Sequence, residues 1–195
     1  MKPVRWLGPL LLLALTGCGL ASGPPPRIQP ADVVTISAEQ GGRFLAFVGP
    51  RHEQAPPFLG VPNTNFYALR SWLDTRTGAH VTQLYVEDSY FGAKRDWDAA
   101  RDAAGQKLKF IPISQNEITC DNGCSYAEEF AAELPDALLR ASGKGLTIIF
   151  TAKSGAEKTI AVPGAFVEKQ RLALAAARAN LPTAAAAAAA APAPR

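Results

Sequence analysis

The segment Ser125-Tyr126-Ala127-Glu128-Glu129-Phe130-Ala131-Ala132-Glu133-Leu134 decides the fold class. Read with a period of two, it places Tyr126, Glu128, Phe130, Ala132 and Leu134 on one face. Ala127, Glu129, Ala131 and Glu133 fall on the other, as in a strand whose two faces differ in surroundings. The stretches around it read the same way. Leu146–Ala152 and Glu157–Val162 form a hairpin around Lys153-Ser154-Gly155-Ala156. Asp32–Ser37 and Arg43–Val48 flank the turn Gln40-Gly41-Gly42. Asn65–Leu73 and Val81–Phe91 pair through Thr75-Arg76-Thr77-Gly78, and the second of them is rich in β-branched and aromatic residues. Gly49 to Asn65, with Pro50, Pro56, Pro57 and Pro62, reads as a long loop.

Two stretches are less regular. Leu108 to Cys120 shifts its apolar parity from Leu108 and Phe110 to Ile111 and Ile113, and then to Ile118 and Cys120. A one-residue bulge near Pro112 accounts for the shift. Asp96 to Gly105 suits either a short helix or a strand through Trp97 that turns at Ala104-Gly105, and its strand neighbours favour the strand. Pro135–Ala141 suits a helical turn ending at Gly143. Lys169–Ala179 suits a helix with Leu172, Ala176 and Ala179 along one face. Without regular strand–helix alternation a parallel sheet is disfavoured. The expected fold is mainly β or α+β: an antiparallel β-sandwich-like domain with short helices and a C-terminal helix.

The chain has 195 residues, of which 48% are hydrophobic and 19% charged, a globular composition. Its mean hydropathy of +0.01 excludes a polytopic membrane protein. A formal charge of +3, with both signs well mixed, gives no nucleic-acid footprint.

The first residues depart from the rest. Met1-Lys2-Pro3-Val4-Arg5 is cationic, Trp6 to Leu15 is apolar, and Leu15-Thr16-Gly17-Cys18 follows. These are the parts of a secretory signal, and the apolar run is too short to span a bilayer. Leu15-Thr16-Gly17-Cys18 resembles the lipobox of bacterial lipoprotein precursors. The resemblance covers only the first eighteen residues. It implies diacylglycerol on the Cys18 sulfur, cleavage between Gly17 and Cys18, and acylation of the new amino group. More than one chain of palmitate type gives lasting anchorage where a single chain is marginal. Gly19, where that family places Asp for inner-membrane retention, implies the outer membrane, with the domain facing the periplasm. An ordinary cleaved signal peptide with an incidental cysteine is the alternative.

The expected organisation is a lipoprotein signal peptide over 1–17, a Gly/Pro-rich tether over 18–30, one β-rich domain over 31–181, and an Ala/Pro-rich disordered tail over 182–195. Removing 1–17 takes Lys2 and Arg5 with it. Of the 20 basic residues 18 then remain against 17 acidic ones, so the lipid and not electrostatics holds the protein to its membrane.

Two cysteines remain after Cys18. Cys120-Asp121-Asn122-Gly123-Cys124 reads as a hairpin loop with Gly123 in the left-handed conformation, and an exported compartment permits a Cys120–Cys124 disulfide. Closing so short a loop is worth about 2 kcal/mol. Redox chemistry or half a metal site are the other uses of such a pair, although catalytic thiols usually have two intervening residues at a helix start.

The sequence carries no nucleophile elbow, no zinc-protease motif and no phosphate loop. His52 and His80 read as solvated histidines. Asp96, Asp98 and Asp102, with Arg95 and Arg101 among them, read as exposed ion pairs; Glu87-Asp88 reads as the solvent face of a strand or, beside Tyr85 and Tyr90, as a carboxylate pair in a cleft. Trp72, Trp97, Tyr67, Tyr85 and Tyr90 suit either core packing or a sugar- or peptide-binding surface. No catalytic residue, metal ligand or cofactor is assigned. The expected role is non-enzymatic: envelope binding, assembly or structure, with the membrane and an envelope protein as partners and no nucleic acid. The rivals are a small envelope hydrolase or metal-dependent enzyme using the acidic groups, and a thiol–disulfide protein.

Overall fold

The computed structural model describes residues 34–181 except Asn122. The segments expected to be a signal peptide (1–17), a tether (18–30, with Cys18) and a tail (182–195) lie outside the described residues. Two antiparallel sheets form the fold. The larger has the order β1 (Thr35–Glu39), β2 (Phe44–Val48), β4 (Phe66–Asp74), β5 (His80–Phe91), β9 (Ser125–Glu133) and β8 (Phe110–Thr119). The two-residue β3 (His52–Glu53) joins β4. The smaller sheet runs β11 (Glu157–Pro163), β10 (Gly145–Ala152), β6 (Trp97–Asp102) and β7 (Lys107–Leu108). Two helices complete it, α1 (Asp136–Ala141) and α2 (Gly164–Ala179).

The period-two pattern explains the layering. In β9, Phe130 and Ala132 are buried against the smaller sheet, as the alternation predicts. Tyr67, Leu69, Leu84 and Val86 of β4 and β5 share that inner face. They meet Trp97, Ala100, Leu146, Ile148, Phe150, Ile160 and Val162 of the smaller sheet. Phe130 sits at the centre, its ring centroid 4.9 Å from Phe150 and 5.2 Å from Trp97. The four-stranded sheet is narrower than its partner, and α2 covers the remainder. Its Leu174 packs on Phe47 and Leu73 of β2 and β4. Under the helix, Gln170 donates from Nε2 to the Phe47 carbonyl (3.1 Å) and to Ser71 Oγ (2.9 Å). This satisfies polar groups on an otherwise apolar face.

The strand expectations hold closely, including the strand over Trp97 and a bulge between Pro112 and Ser114, except that the single strand expected from Leu108 to Cys120 is divided, Leu108 ending β7 in the smaller sheet and Phe110 starting β8 in the larger. A second register shift, between Glu117 and Thr119, accompanies the bulge. The helix expectation is corrected in two respects. The helix begins five residues earlier, at Gly164, and its buried face is Val167, Gln170 and Leu174; Leu172 is 59% exposed. Placing the apolar stripe on Leu172 overlooked Gln170, whose buried Nε2 finds acceptors on the sheet beneath. Cys120 and Cys124 close the β8–β9 hairpin with their sulfurs 2.13 Å apart, which fits the expected disulfide, and Gly123 has the expected positive φ.

Candidate functional site

The chain passes from the larger sheet to the smaller between Phe91 and Trp97, and two buried carboxylates on the inner face hold that crossover. Asp88 on β5 and Glu128 on β9 occupy core-facing positions, with only 1% and 3% of their surface exposed. A buried carboxylate is costly unless it is surrounded by donors, and both are. Asp88 accepts from Arg95 Nη1 at 2.7 Å, Lys158 Nζ at 2.8 Å and Trp97 Nε1 at 3.0 Å. Glu128 accepts from the Tyr90 hydroxyl, the Asp96 and Trp97 amides (3.2 and 3.3 Å) and Gln115 Nε2 at 3.0 Å. Arg95 lies over the Tyr90 ring, 3.9 Å from its centroid, and its amide donates to the Tyr90 oxygen at 2.8 Å. Burial, and then the hydrogen bond to Glu128, push the Tyr90 hydroxyl well above its ordinary pKa. Lys158 also donates to Gln54 at 2.8 Å, so the network reaches from the small sheet's edge to the proline-rich loop.

Beside Glu128 opens a cleft of about 440 Å³ between the β8 edge and the start of β6, within the size range of ligand sites. Trp97, Phe110, Pro112, Ile113 and Phe130 supply its apolar wall. Asp96, Ser114, Gln115, Glu128, Glu129 and Lys153 supply its polar one. The β8 bulge at Ile113 opens this wall, and Ile113 is 40% exposed. Gln115 bridges Asp96 (2.8 Å) and Glu128, and that bond holds the Asp96 carboxyl below the usual range. Asp96 and Glu128 place carboxylate oxygens in the cleft with Lys153, while Glu129, next to Glu128 on the strand, turns its carboxylate to the outer face against Tyr85. The cleft is thus apolar on one wall and carries both signs of charge on the other.

The other flagged residues separate. Glu87 and Asp88 do not form a pair, because neighbours on a strand face opposite ways. The solvent-face expectation is also corrected, since Glu87 is buried too, on the outer face. It accepts from the Asn65 amide and the Ser89 hydroxyl, and burial raises its pKa. Of the acidic trio, Asp96 pairs with Lys94 (3.1 Å) and Asp98 is exposed. Asp102, 9% exposed, instead caps the β6–β7 turn by accepting from the Ala104 and Gln106 amides. Among the described residues no group of three His, Cys, Asp or Glu is placed to hold a metal.

His52 is not a solvated loop residue. It lies half-buried in β3, stacked on Phe166 with centroids 3.7 Å apart. His80 is likewise largely buried and bonds Asp136 at 2.9 Å. The aromatics divide between the two faces. Tyr67, Tyr90 and Trp97 are in the core, while Trp72 and Tyr85 lie on the outer face under Arg70. Glu128 was missed as a site residue although its signal was present: it is a carboxylate in phase with Phe130, Ala132 and Leu134. Arg95 and Lys158 gave no comparable signal.

Among the described residues no helix is long and apolar enough to cross a membrane. Compared with known protein families, curated proteins and solved structures, the chain finds no match.

Proposed function

We propose that this is a lipid-anchored binding protein of the bacterial cell envelope, held at the outer membrane through Cys18, with its domain taking a partner chain along β8. The anchor rests on Leu15-Thr16-Gly17-Cys18 and the cationic, apolar segment before it. The binding role rests on one observation, the β8 edge and its cleft. β8 is a ten-residue outer strand of the large sheet. It carries exposed Ile113 and Ile118 and is open to an added strand on its free side among the described residues. Main-chain bonds along such an edge give affinity. The cleft at the bulge gives selectivity, by taking an apolar side chain of the partner against Trp97, Phe110 and Ile113. Glu128 suits a wall more than a proton shuttle, because four donors already occupy its oxygens.

Two experiments test the two halves. The mass of the mature chain extracted from membranes should equal residues 18–195 plus the acyl groups, and Cys18→Ser should abolish the added mass. A retained leader or a mature chain without acyl mass refutes the anchor. A photo-crosslinking residue at Ile113 or Ile118 in living cells should give a discrete protein adduct that Gln115→Lys diminishes. The same residue at Leu172, on exposed α2, should give none. Equal labelling from both places refutes the β8 site.

A further inference from the structure

At the end of β5 opposite the crossover, a second pocket of about 170 Å³ lies between α1, α2 and His80. We propose that it binds a phosphate group. Three guanidinium groups converge on it from two helices: Arg140 from α1, and Arg171 and Arg178 from α2. The α2 pair is seven residues apart, so both project from one side of the helix, two turns from each other. Leu139 and Leu174, each 5% exposed, form an apolar floor that strengthens electrostatic interactions above it.

The hydrogen bonds leave positive charge unspent. Asp136 accepts from His80 at 2.9 Å and lies 3.9 Å from Arg140, while Arg171 bonds Glu168 at 2.7 Å. Arg178 meets His80 Nδ1 at 3.5 Å and, among the described residues, pairs with no carboxylate. A guanidinium can only donate, so Nδ1 accepts and the ring proton sits on Nε2, directed at Asp136. Three guanidinium groups thus face two carboxylates. Their planar forks match phosphate oxygens where an ammonium gives only a point charge. The space is several times the roughly 30 Å³ share of one water, enough for a phosphate group. Val34, where the described chain begins, packs in the same cluster as Leu174 and Leu181, so both ends of the domain lie on this side of the fold. The phosphate can therefore belong to an anionic lipid headgroup or to a soluble compound. The pocket does not depend on the β8 reading.

The test uses the full chain in non-ionic detergent at constant neutral pH, titrated calorimetrically with inorganic phosphate and separately with dihexanoylphosphatidylglycerol. Saturable binding of inorganic phosphate assigns a soluble source; binding of the lipid alone assigns the headgroup. The double variant Arg171→Ala/Arg178→Ala should weaken whichever binds by roughly tenfold or more. Asp136→Asn keeps an acceptor for His80 and removes a competing charge, so it should bind several-fold tighter, a gain that damaged folding cannot mimic. Failure of both titrants to saturate, an arginine variant that binds like the parent, or an Asp136→Asn variant that binds no tighter overturns the proposal.

Discussion

Replacing Asp88 by alanine should unfold this domain more readily than almost any other charge removal. Its carboxylate is 1% exposed and faces two cations and an indole N–H. Counting each hydrogen bond to a charged group at about 1.5–3 kcal/mol would give a loss near the whole stability of a small domain. That sum overshoots, because the donors do not stay dry. The Arg95 and Lys158 side chains are 32% and 15% exposed and can turn toward water once the carboxylate is gone. The relevant figure is the cost of breaking a buried pair from one side, about 3–5 kcal/mol. For a domain of this length that lowers the melting temperature by roughly 6–20 °C. Lys158→Met leaves Arg95 and Trp97 on the carboxylate and should cost less, about 1–3 kcal/mol. The double variant should be less damaging than the two losses added. Urea denaturation followed by circular dichroism measures all three. A loss below about 1 kcal/mol for Asp88→Ala, the behaviour of a surface carboxylate, would refute the claim that this network pins the crossover.

Burial raises the Glu87 pKa. The folded state therefore takes up this proton before the unfolded state does, and Glu87 contributes stability as pH falls from neutral toward its unfolded value near 4.5 and loses it as pH rises. Denaturation at pH 7 and pH 5 should show the parent gaining stability relative to Glu87→Gln, and a gap that is constant or reversed contradicts this. A Cβ on Gly164 would collide with the Gly143 carbonyl oxygen, a backbone atom that cannot swing aside, so Gly164→Ala should cost about 1–3 kcal/mol or more in a thermal melt. Gly41→Ala meets open space and bears only the penalty of its positive φ, about 1 kcal/mol, so the reverse ranking would be a contradiction. Reducing the Cys120–Cys124 bond should lower stability by no more than about 2 kcal/mol and leave the far-ultraviolet spectrum unchanged, since it ties a single hairpin. Global unfolding on reduction would mean that the bond holds more than its turn.

The strands were legible because their signal is local. In β9 and β5 the alternation of apolar and polar residues sets the face of each side chain, and turn residues such as Gln40-Gly41-Gly42 set the ends. The bulge at Ile113 was legible for the same reason, since a change of parity has few other causes. The site was less legible, and Glu87-Asp88 shows why. Their adjacency invited treatment as a pair, yet a strand sends one to the core and the other to the outer face. The alternation that placed Leu84 and Val86 inside also placed Asp88 there, so its burial could be inferred, but its partners could not. Lys158 reaches Asp88 from a strand seventy residues on, in the opposite sheet. Which strand lies over which depends on the packing of two layers, and that is non-local. The Leu172 error has the same origin: a buried glutamine is invisible until the hydroxyl and carbonyl beneath it are known.

A formal charge of +3 says little about where the charges are. Along β5 the charges separate: at its start His80 stands among Arg140, Arg171 and Arg178, and toward its end Asp88 lies across from Glu128 on the inner face. The two ends differ in kind as well as sign. The carboxylates at the crossover are buried and satisfied by partners within the fold, so their main effect is to fix geometry, and salt should weaken them little. The guanidinium groups at the helical end are mostly exposed and incompletely paired, so their field reaches solvent and is open to salt and to ligands. A near-neutral composition excludes a strongly steered partner for the chain as a whole. It does not exclude a local one, and incomplete pairing, not total charge, is what separates the helical end from the rest of this surface.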